Sequence, residues 1–220
     1  MQQYLPLLKR CPLFFEIDPP HVLAMLTCFG ARVSSYKKKE TIFAEGDPAK
    51  YIGIVLSGSA QIVQMDYFGN RSLVSGIEPS ELFAEAFACA ETSALPVSFI
   101  ACEDSKVMLI DCHRILYSCS NNCGFHQQMI FNLMKDIATK NLMFHQKMEI
   151  TGKRTTREKL LTYLNFQAKK HGNNCFEIPF NRQELADYLE VDRSGLSAEI
   201  SKLQKEGLLK SRKERFELLS

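Results

Sequence analysis

Apolar and polar positions alternate between residues 181 and 209 in a way that predicts two short helices joined by a tight turn. Asn181, followed three residues later by Glu184, is typical of a helix start, because each side chain can bond a free backbone amide. Asp192 can cap the second helix, whose apolar residues fall at i, i+4 and i+7 and so share one face. These residues are Leu196, Ile200 and Leu203, and Gly207 follows as a C-terminal stop.

Two short helices, a tight turn and an outer face of small side chains are typical of a DNA-binding helix-turn-helix. Small side chains let the helix backbone approach base edges, and flanking cations can reach phosphates. An ordinary pair of packed surface helices would show the same apolar pattern. The pattern alone leaves both interpretations open.

Residues 31–111 have a different pattern, in which short stretches rich in Val, Ile, Tyr and Phe are separated by turn signals. Turns spaced about ten residues apart predict an antiparallel sandwich or barrel. Residues 52–56 and 60–65 are expected to form a hairpin around Gly58, and residues 97–101 and 106–111 are the last strands. A mostly helical amphipathic segment, residues 6–30, precedes them.

Residues 125–148 contain no proline or glycine and predict one long helix. Six of its residues are spaced 4, 3, 4, 3, 4, which is a heptad seam and favours a two-stranded coiled coil between two chains. The seam residues are Ile130, Met134, Ile137, Asn141, Phe144 and Met148. A single helix lying on its own domain is the alternative. A second capping box, Thr155 with Glu158, predicts a further helix at 156–170, and strands are expected at 175–180 and within 210–218.

The charge is distributed unevenly along the chain. Residues 153–220 contain 14 Lys and Arg against 10 Asp and Glu, whereas residues 1–152 contain 13 against 15. A basic end beside a slightly acidic body is expected when only one end meets nucleic acid. No apolar run reaches the ~20 residues that cross a bilayer, and the N-terminus lacks signal-peptide features. We therefore expect a cytoplasmic protein with mostly reduced thiols.

Three stretches near the C-terminus, RQELADYL, VDRS and KLQKEGLL, resemble the helix-turn-helix of the catabolite-activator/FNR (Crp/Fnr) family of bacterial transcription regulators. FAEGD at residues 43–47, residues 51–58 and SELFAE at residues 80–85 resemble the sensor of the same family. The resemblance implies an α+β fold with a cyclic-nucleotide-binding-like β-roll (an antiparallel jelly roll), a long dimerisation helix and a winged helix-turn-helix. The corresponding ranges are 1–124, 125–152 with the hinge, and 153–220.

The resemblance assigns a base-contacting role to Arg193, at the head of the second helix. Where the family has a Glu and an Arg that read bases, this chain has Ser194 and Ala198, which cannot make bidentate contacts. An operator of different sequence is therefore expected. The full set of expected DNA-contacting residues is Lys153, Arg182, Gln183, Arg193, Ser194, Ser197, Ala198, Lys202, Arg212 and Lys213.

In the family's cyclic-nucleotide sensors a Glu binds the ribose, and an Arg-Ser pair ten residues later holds the phosphate. Here Glu85 is followed at that distance by Leu95 and Pro96, and Ala84 replaces a glycine. Because a buried phosphate needs a charged partner, cyclic AMP is not expected; Glu85 is then equally well read as a surface or capped carboxylate. The expected effector pocket comprises Phe83, Ala84, Glu85, Leu95, Pro96, Val97, Lys140 and Asn141, of which Lys140 could serve an anionic ligand.

The eight cysteines contain no C-x-x-C pair. Cys119 and Cys123, close to Cys112, are loosely ligand-like, but buried thiols are the commoner explanation. An iron–sulfur cluster, haem or other metal site is not supported, and His113, His126 and His145 are expected to face solvent. No nucleophile–base pair or phosphate loop is present, so no catalytic activity is predicted.

These features predict a homodimeric, sequence-specific transcription regulator that binds double-stranded operator DNA. RNA polymerase and a small-molecule effector are further expected partners. No interaction with a membrane is expected. Two alternatives remain open: a signalling module whose C-terminal domain contacts protein, and an effector-independent repressor whose pocket is filled by residues such as Phe87 and Leu95.

Overall fold

A computed structural model describes residues 1–65, 71–117 and 124–219. Cys119 and Cys123 lie outside the described residues. The chain divides into two compact units, an N-terminal unit, Met1–Thr139, and a C-terminal unit, Lys140–Ser220. Within the described ranges, every helix is too short or too polar to cross a bilayer.

Helices and antiparallel strands both occur, which confirms the predicted α+β class. The α-helices are α1 Leu5–Leu8, α2 Pro19–Cys28, α3 Glu85–Cys89, α4 Cys112–Tyr117, α5 Gly124–Thr151, α6 Thr156–His171, α7 Arg182–Leu189 and α8 Arg193–Lys205. The strands are β1 Arg32–Tyr36, β2 Thr41–Phe43, β3 Tyr51–Ser57, β4 Ala60–Met65, β5 Arg71–Ile77, β6 Leu82–Phe83, β7 Ser98–Ala101, β8 Ser105–Asp111, β9 Cys175–Glu177, β10 Leu209–Arg212 and β11 Arg215–Leu218. Short 3₁₀ turns occupy Gln2–Tyr4 and Pro12–Phe14.

Two four-stranded antiparallel sheets, with orders β1-β8-β3-β6 and β2-β7-β4-β5, form the N-terminal unit. One core lies between them, where Val55 and Val107 of the first sheet join Phe99 of the second. The other face of the first sheet carries Ile54 and Met108, which pack in a second core with residues of the helices. Strands β3 and β8 are therefore buried on both faces, which explains their nearly continuous apolar sequence.

The predicted hairpin around Gly58 is wrong. Strand β3 pairs with β6 and β8, whereas β4 pairs with β5 and β7, so the chain changes sheets between them. Gly58 has φ +76° at this corner, and a Cβ atom there would lie 2.3 Å from Ser105 Oγ. Apolar spacing predicted both strands but does not distinguish a hairpin from a corner that joins two sheets.

The N-terminal part of α5 packs into its own unit. Met129 and Leu133 are buried in the helix-side core, and Ile130 and Ile137 pack partly against it. Two of the six seam residues thus have neighbours within the chain, as the single-helix alternative predicts for them. Met134, Phe144 and Met148 are 59%, 62% and 69% exposed.

Two buried polar residues of α5 have defined partners. Asn132 Nδ2 donates to the carbonyl oxygens of Leu13, at 3.1 Å, and Phe15, at 2.7 Å, and so fastens the N-terminal segment to the helix. His126 is 5% exposed, and its Nε2 bonds the carbonyl oxygen of Ile115. The expectation that His126 faces solvent is therefore wrong, because the bond to a backbone acceptor makes its burial possible.

The C-terminal unit contains the last part of α5, the helices α6, α7 and α8, and an antiparallel sheet of order β10-β11-β9. Its core contains Leu160, Leu185, Leu196 and Phe216. Strands β10 and β11 form the predicted strand-turn-strand, and β9 is shorter than the predicted strand at 175–180. A helix-turn-helix with an adjoining β-hairpin is a winged helix-turn-helix.

Candidate nucleic-acid interface

Three local features fix where α7 begins and ends and where α8 begins. Asn181 Oδ1 accepts from the amides of Gln183 and Glu184, at 2.9 and 3.0 Å, and Glu184 Oε2 accepts from the Asn181 amide at 2.7 Å, which completes the predicted capping box. Helix α7 ends at Leu189, and the residue that caps it, Glu190, has φ +53°. Asp192 then caps α8, its carboxylate accepting from the Gly195 amide at 2.8 Å.

Asp192 also accepts a hydrogen bond from the Ser194 hydroxyl. This bond and the Gly195 amide hold the pKa of Asp192 below its ordinary value. The cap is therefore ionised at neutral pH, where a negative charge at a helix N-terminus interacts favourably with the helix dipole.

Helix α8 is strictly two-sided. Leu196 and Leu203 are fully buried and Ile200 is 3% exposed, whereas the opposite face lies in solvent. Residues on the exposed face are Arg193, Ser194, Ser197, Ala198, Ser201, Lys202 and Lys205. Ser197 and Ser201 donate their hydroxyls to the helix carbonyls four residues earlier, at 2.9 and 3.0 Å, so their oxygens keep acceptor capacity on the outside. A shallow face with cations around it can enter a major groove.

Arg182 has contacts that the sequence did not predict. Its guanidinium donates to Ser211 Oγ at 3.3 Å and lies 5.6 Å from the centroid of the Phe216 ring. Burial lowers the pKa of Arg182. This side chain therefore fastens α7 to the wing, and its contact with a phosphate stays a prediction. Gln183 is exposed, with its amide donating to Asp187 at 2.8 Å.

The wing presents cations at its tip. Arg212 and Lys213 are exposed, and Lys213 has φ +54° in the turn between β10 and β11. Arg215, the next cation, instead donates to Cys175 Sγ at 3.3 and 3.4 Å. Lys153, between α5 and α6, is half-buried.

The sequence did not predict the roles of two cations that hold α7 and α8 against α6. Arg157 of α6 bonds Glu206 at 2.5 and 3.1 Å and Glu199 at 3.5 Å, and these contacts tie α6 to α8. Lys159 donates to the carbonyl oxygens of Leu189 and Glu190, at 3.2 and 3.3 Å, at the end of α7. These partners lie 30 to 49 residues away in sequence, and no local spacing indicates them.

The expected effector pocket is filled by the protein's own side chains. Phe83, Ala84, Leu95 and Val97 are all buried in the core between the sheets, and Phe87 packs against it. Leu95 is 2% exposed and is held by backbone bonds to Gly46 and Asp47, at 2.9 and 2.8 Å. A buried leucine stands where a phosphate would need a cation, so these residues do not fit a cyclic nucleotide.

Other members of the expected pocket are placed differently. Glu85 is 5% exposed, so the interpretation of it as a surface carboxylate is wrong. Pro96 is exposed. Lys140 and Asn141 belong to the C-terminal unit, and their part in effector binding stays a prediction.

The chain resembles known proteins along most of its length. Residues 33–122 match the cyclic nucleotide-binding domain family, and residues 158–220 match the Crp-like helix-turn-helix domain family. The transcriptional activator protein FnrA of Stutzerimonas stutzeri is 26% identical over 180 residues, which are 80% of this chain and 71% of FnrA. The transcriptional activator protein anr of Pseudomonas aeruginosa is 25% identical over 178 residues, 79% of this chain and 70% of that protein.

Solved structures share the fold. DNR from Pseudomonas aeruginosa superposes with a TM-score of 0.53 at 20% identity, covering 100% of this chain and 95% of DNR. The c-di-GMP-responsive global regulator CLP of Xanthomonas campestris gives a TM-score of 0.55 at 18% identity, covering 92% of this chain and 100% of CLP.

Proposed function

Since the chain belongs to the catabolite-activator/FNR (Crp/Fnr) family of bacterial transcription regulators, we propose that it binds operator DNA as a homodimer. The protein is a DNA-binding transcription regulator with an N-terminal sensor domain. The observation that carries the proposal is the two-sided α8, which buries Leu196, Ile200 and Leu203 and leaves its small and cationic face exposed.

Dimer formation is supported by the exposed apolar side chains of α5. Three of the six seam residues, Met134, Phe144 and Met148, are each more than half exposed, and so are Phe131, Leu142 and Met143 elsewhere on the same helix. A group of large apolar side chains in solvent marks an interaction site. A second copy of the same helix buries Met134, Phe144 and Met148 along the seam, as in a two-stranded coiled coil.

On DNA, α8 lies in the major groove with Arg193 and Lys202 on the contacting side. Arg193, free of protein carboxylates among its described hydrogen bonds and ion pairs, is suited to guanine or to a phosphate. Arg212 and Lys213 reach the flanking phosphates from the wing. Two copies of α8 then require half-sites about one helical turn, roughly 34 Å, apart. Because the target is chromosomal DNA, the protein acts in the cytoplasm.

The filled pocket favours a second candidate, a regulator that needs no diffusible anionic effector. Leu95 and Phe83 occupy the space between the sheets, so a ligand there would have to displace core side chains. FnrA and anr are named as transcriptional activators, and an activator contacts RNA polymerase. We therefore include contact with RNA polymerase in the proposed function.

Selection of bound fragments from random-sequence DNA tests the proposed function. We expect the purified chain to select a palindrome, and its affinity to fall steeply as salt concentration rises, since counterions are released from each phosphate contact. Because Arg193 is proposed to contact a base, Arg193→Ala should lower the affinity for DNA about tenfold or more and relax selection at one base pair of each half-site. Lys169→Ala, which removes an exposed cation at the end of α6, is the matched control and should change affinity little.

Binding that selects no sequence, or an equal loss with both substitutions, would argue against α8 as the reading element. A salt-insensitive interaction with another protein would favour the signalling-module alternative instead.

A further inference from the structure

Two thiols that lie 23 residues apart in the sequence meet in the N-terminal unit. Cys89 is the last residue of α3, Cys112 is the first residue of α4, and their Sγ atoms are 3.6 Å apart. A disulfide bond is about 2.05 Å long, so both cysteines are free thiols in hydrogen-bond contact. The approach needed to join them is about 1.5 Å.

The two thiols have different surroundings. Cys112 is 2% exposed and lies in the helix-side core, whereas Cys89 is partly exposed. The hydrogen bond from Cys112 lowers the pKa of Cys89, and the same contact together with burial raises the pKa of Cys112. Cys89 is therefore the thiol that reagents reach and that ionises first, and the thiolate is the nucleophile in thiol chemistry.

We propose that Cys89 and Cys112 form a reversible thiol-oxidation site whose co-reactant is a low-molecular-weight disulfide. The Cys89 thiolate attacks one sulfur of the co-reactant and expels a thiolate, which leaves Cys89 in a mixed disulfide. Cys112 then loses its proton and attacks the Cys89 sulfur, which forms the intramolecular bond and expels the second thiolate. Two protein thiols are oxidised and one disulfide is reduced to two thiols, which take up the two protons.

The two cysteines stand at helix ends. Helix α3 has five residues, and Cys89 is the last of them. Cys112 is fixed, its amide donating to the Lys50 carbonyl at 3.1 Å. The new bond would tie the helix that begins with Glu85 to the start of α4. Disulfides in reducing compartments are usually transient and redox-sensing.

Peptide mapping of the full chain tests the site. The reduced protein is incubated with glutathione disulfide, alkylated and digested with trypsin. Cleavage at Arg71, Lys106 and Arg114 places Cys89 and Cys102 together on residues 72–106 and Cys112 alone on residues 107–114. We expect these two peptides to be linked, with the link lost after reduction by dithiothreitol.

Substitutions identify the sulfur atoms. Cys102→Ser, the matched control on the same peptide, should leave the link intact, whereas Cys89→Ser and Cys89→Ala should each abolish it. In Cys112→Ser, Cys89 should stop at the mixed disulfide with glutathione. Each variant is compared with the wild type by circular dichroism, and Cys89→Ala keeps the test valid if the serine variant does not fold.

Three results would overturn the proposal: no link in the folded wild type, a link that survives in Cys89→Ala, or a link from residues 107–114 to residues 115–135, which hold Cys119 and Cys123. None of them depends on DNA binding. The thiol site and the proposed operator binding can therefore fail separately.

Discussion

Replacing Met134 by glutamate should separate the proposed dimer. Met134 is 59% exposed on α5, so the monomer loses few of its own contacts, and glutamate is a good helix former. Met143 is 63% exposed on the same helix. At 3.6 residues per turn, nine residues place Met143 about half a turn from Met134. Met143→Glu is therefore a control of the same chemistry on the opposite side.

The expected magnitude follows from the exposed area. Full burial of a methionine side chain contributes about 1.5 to 3 kcal/mol. The 59% of Met134 that a partner can still cover therefore contributes about 1 to 2 kcal/mol per chain, or about 2 to 4 kcal/mol per dimer. The dimer dissociation constant should rise about 30-fold to about 700-fold, and more if the carboxylate is dehydrated.

Sedimentation equilibrium over a dilution series measures this constant. Met148→Glu, fourteen residues after Met134 and close to the same face, should act like Met134→Glu, and affinity for a two-half-site operator should fall in parallel. A Met134→Glu protein as dimeric as the wild type would refute the interface. So would an equal loss of dimer in Met143→Glu, because the effect would then not depend on the helix face.

Three smaller predictions concern single polar side chains. Asn181→Ala removes the cap of α7 and should lower the free energy of unfolding of the C-terminal unit by about 1 kcal/mol in urea titrations; an unchanged midpoint would contradict the cap's role. The pKa of Asp192 is lowered in the folded state, so its contribution is present above the unfolded pKa and should be lost as pH falls through the folded pKa. Hydrogen exchange of the Gly195 amide measures this loss of the cap. In Asp192→Asn the exchange should no longer change with pH through this range. Asn132→Asp puts a carboxylate against two carbonyl oxygens and should lower the free energy of unfolding of the N-terminal unit by about 3 kcal/mol. The thermal stability should recover at low pH, where the carboxyl group is neutral. A loss of stability that does not depend on pH would refute the argument.

Elements governed by a few neighbouring residues were predictable from the sequence. Both capping boxes formed, at Thr155 with Glu158 and at Asn181 with Glu184, because each needs only four consecutive residues. The exposed and buried faces of α8 followed from the spacing of its apolar residues for the same reason. The exposed face of α8, which forms the candidate interface, was thus predictable from the sequence.

Features governed by distant partners were not predictable. The corner at Gly58 depends on which sheet each strand joins, and His126 is buried because a carbonyl of α4 accepts its bond. Arg157 looks like any surface cation in the sequence, and its two glutamate partners come from α8 and the residue that follows it. The spacing of apolar residues predicts which face of a helix or strand is buried, but it does not predict which other residues cover that face.

The chemistry of the sensor domain limits the kind of signal it can receive. Leu95 fills the position of the missing cation and is 2% exposed, so an anion bound there would be dehydrated without a charged partner, which costs several kcal/mol. A covalent change at Cys89 needs no cavity and no counter-charge, only access to one partly exposed thiol. Cys89 and Glu85 are the two ends of the same five-residue α3. Oxidation therefore acts on the helix that begins at the filled pocket, by chemistry that the buried leucine does not block.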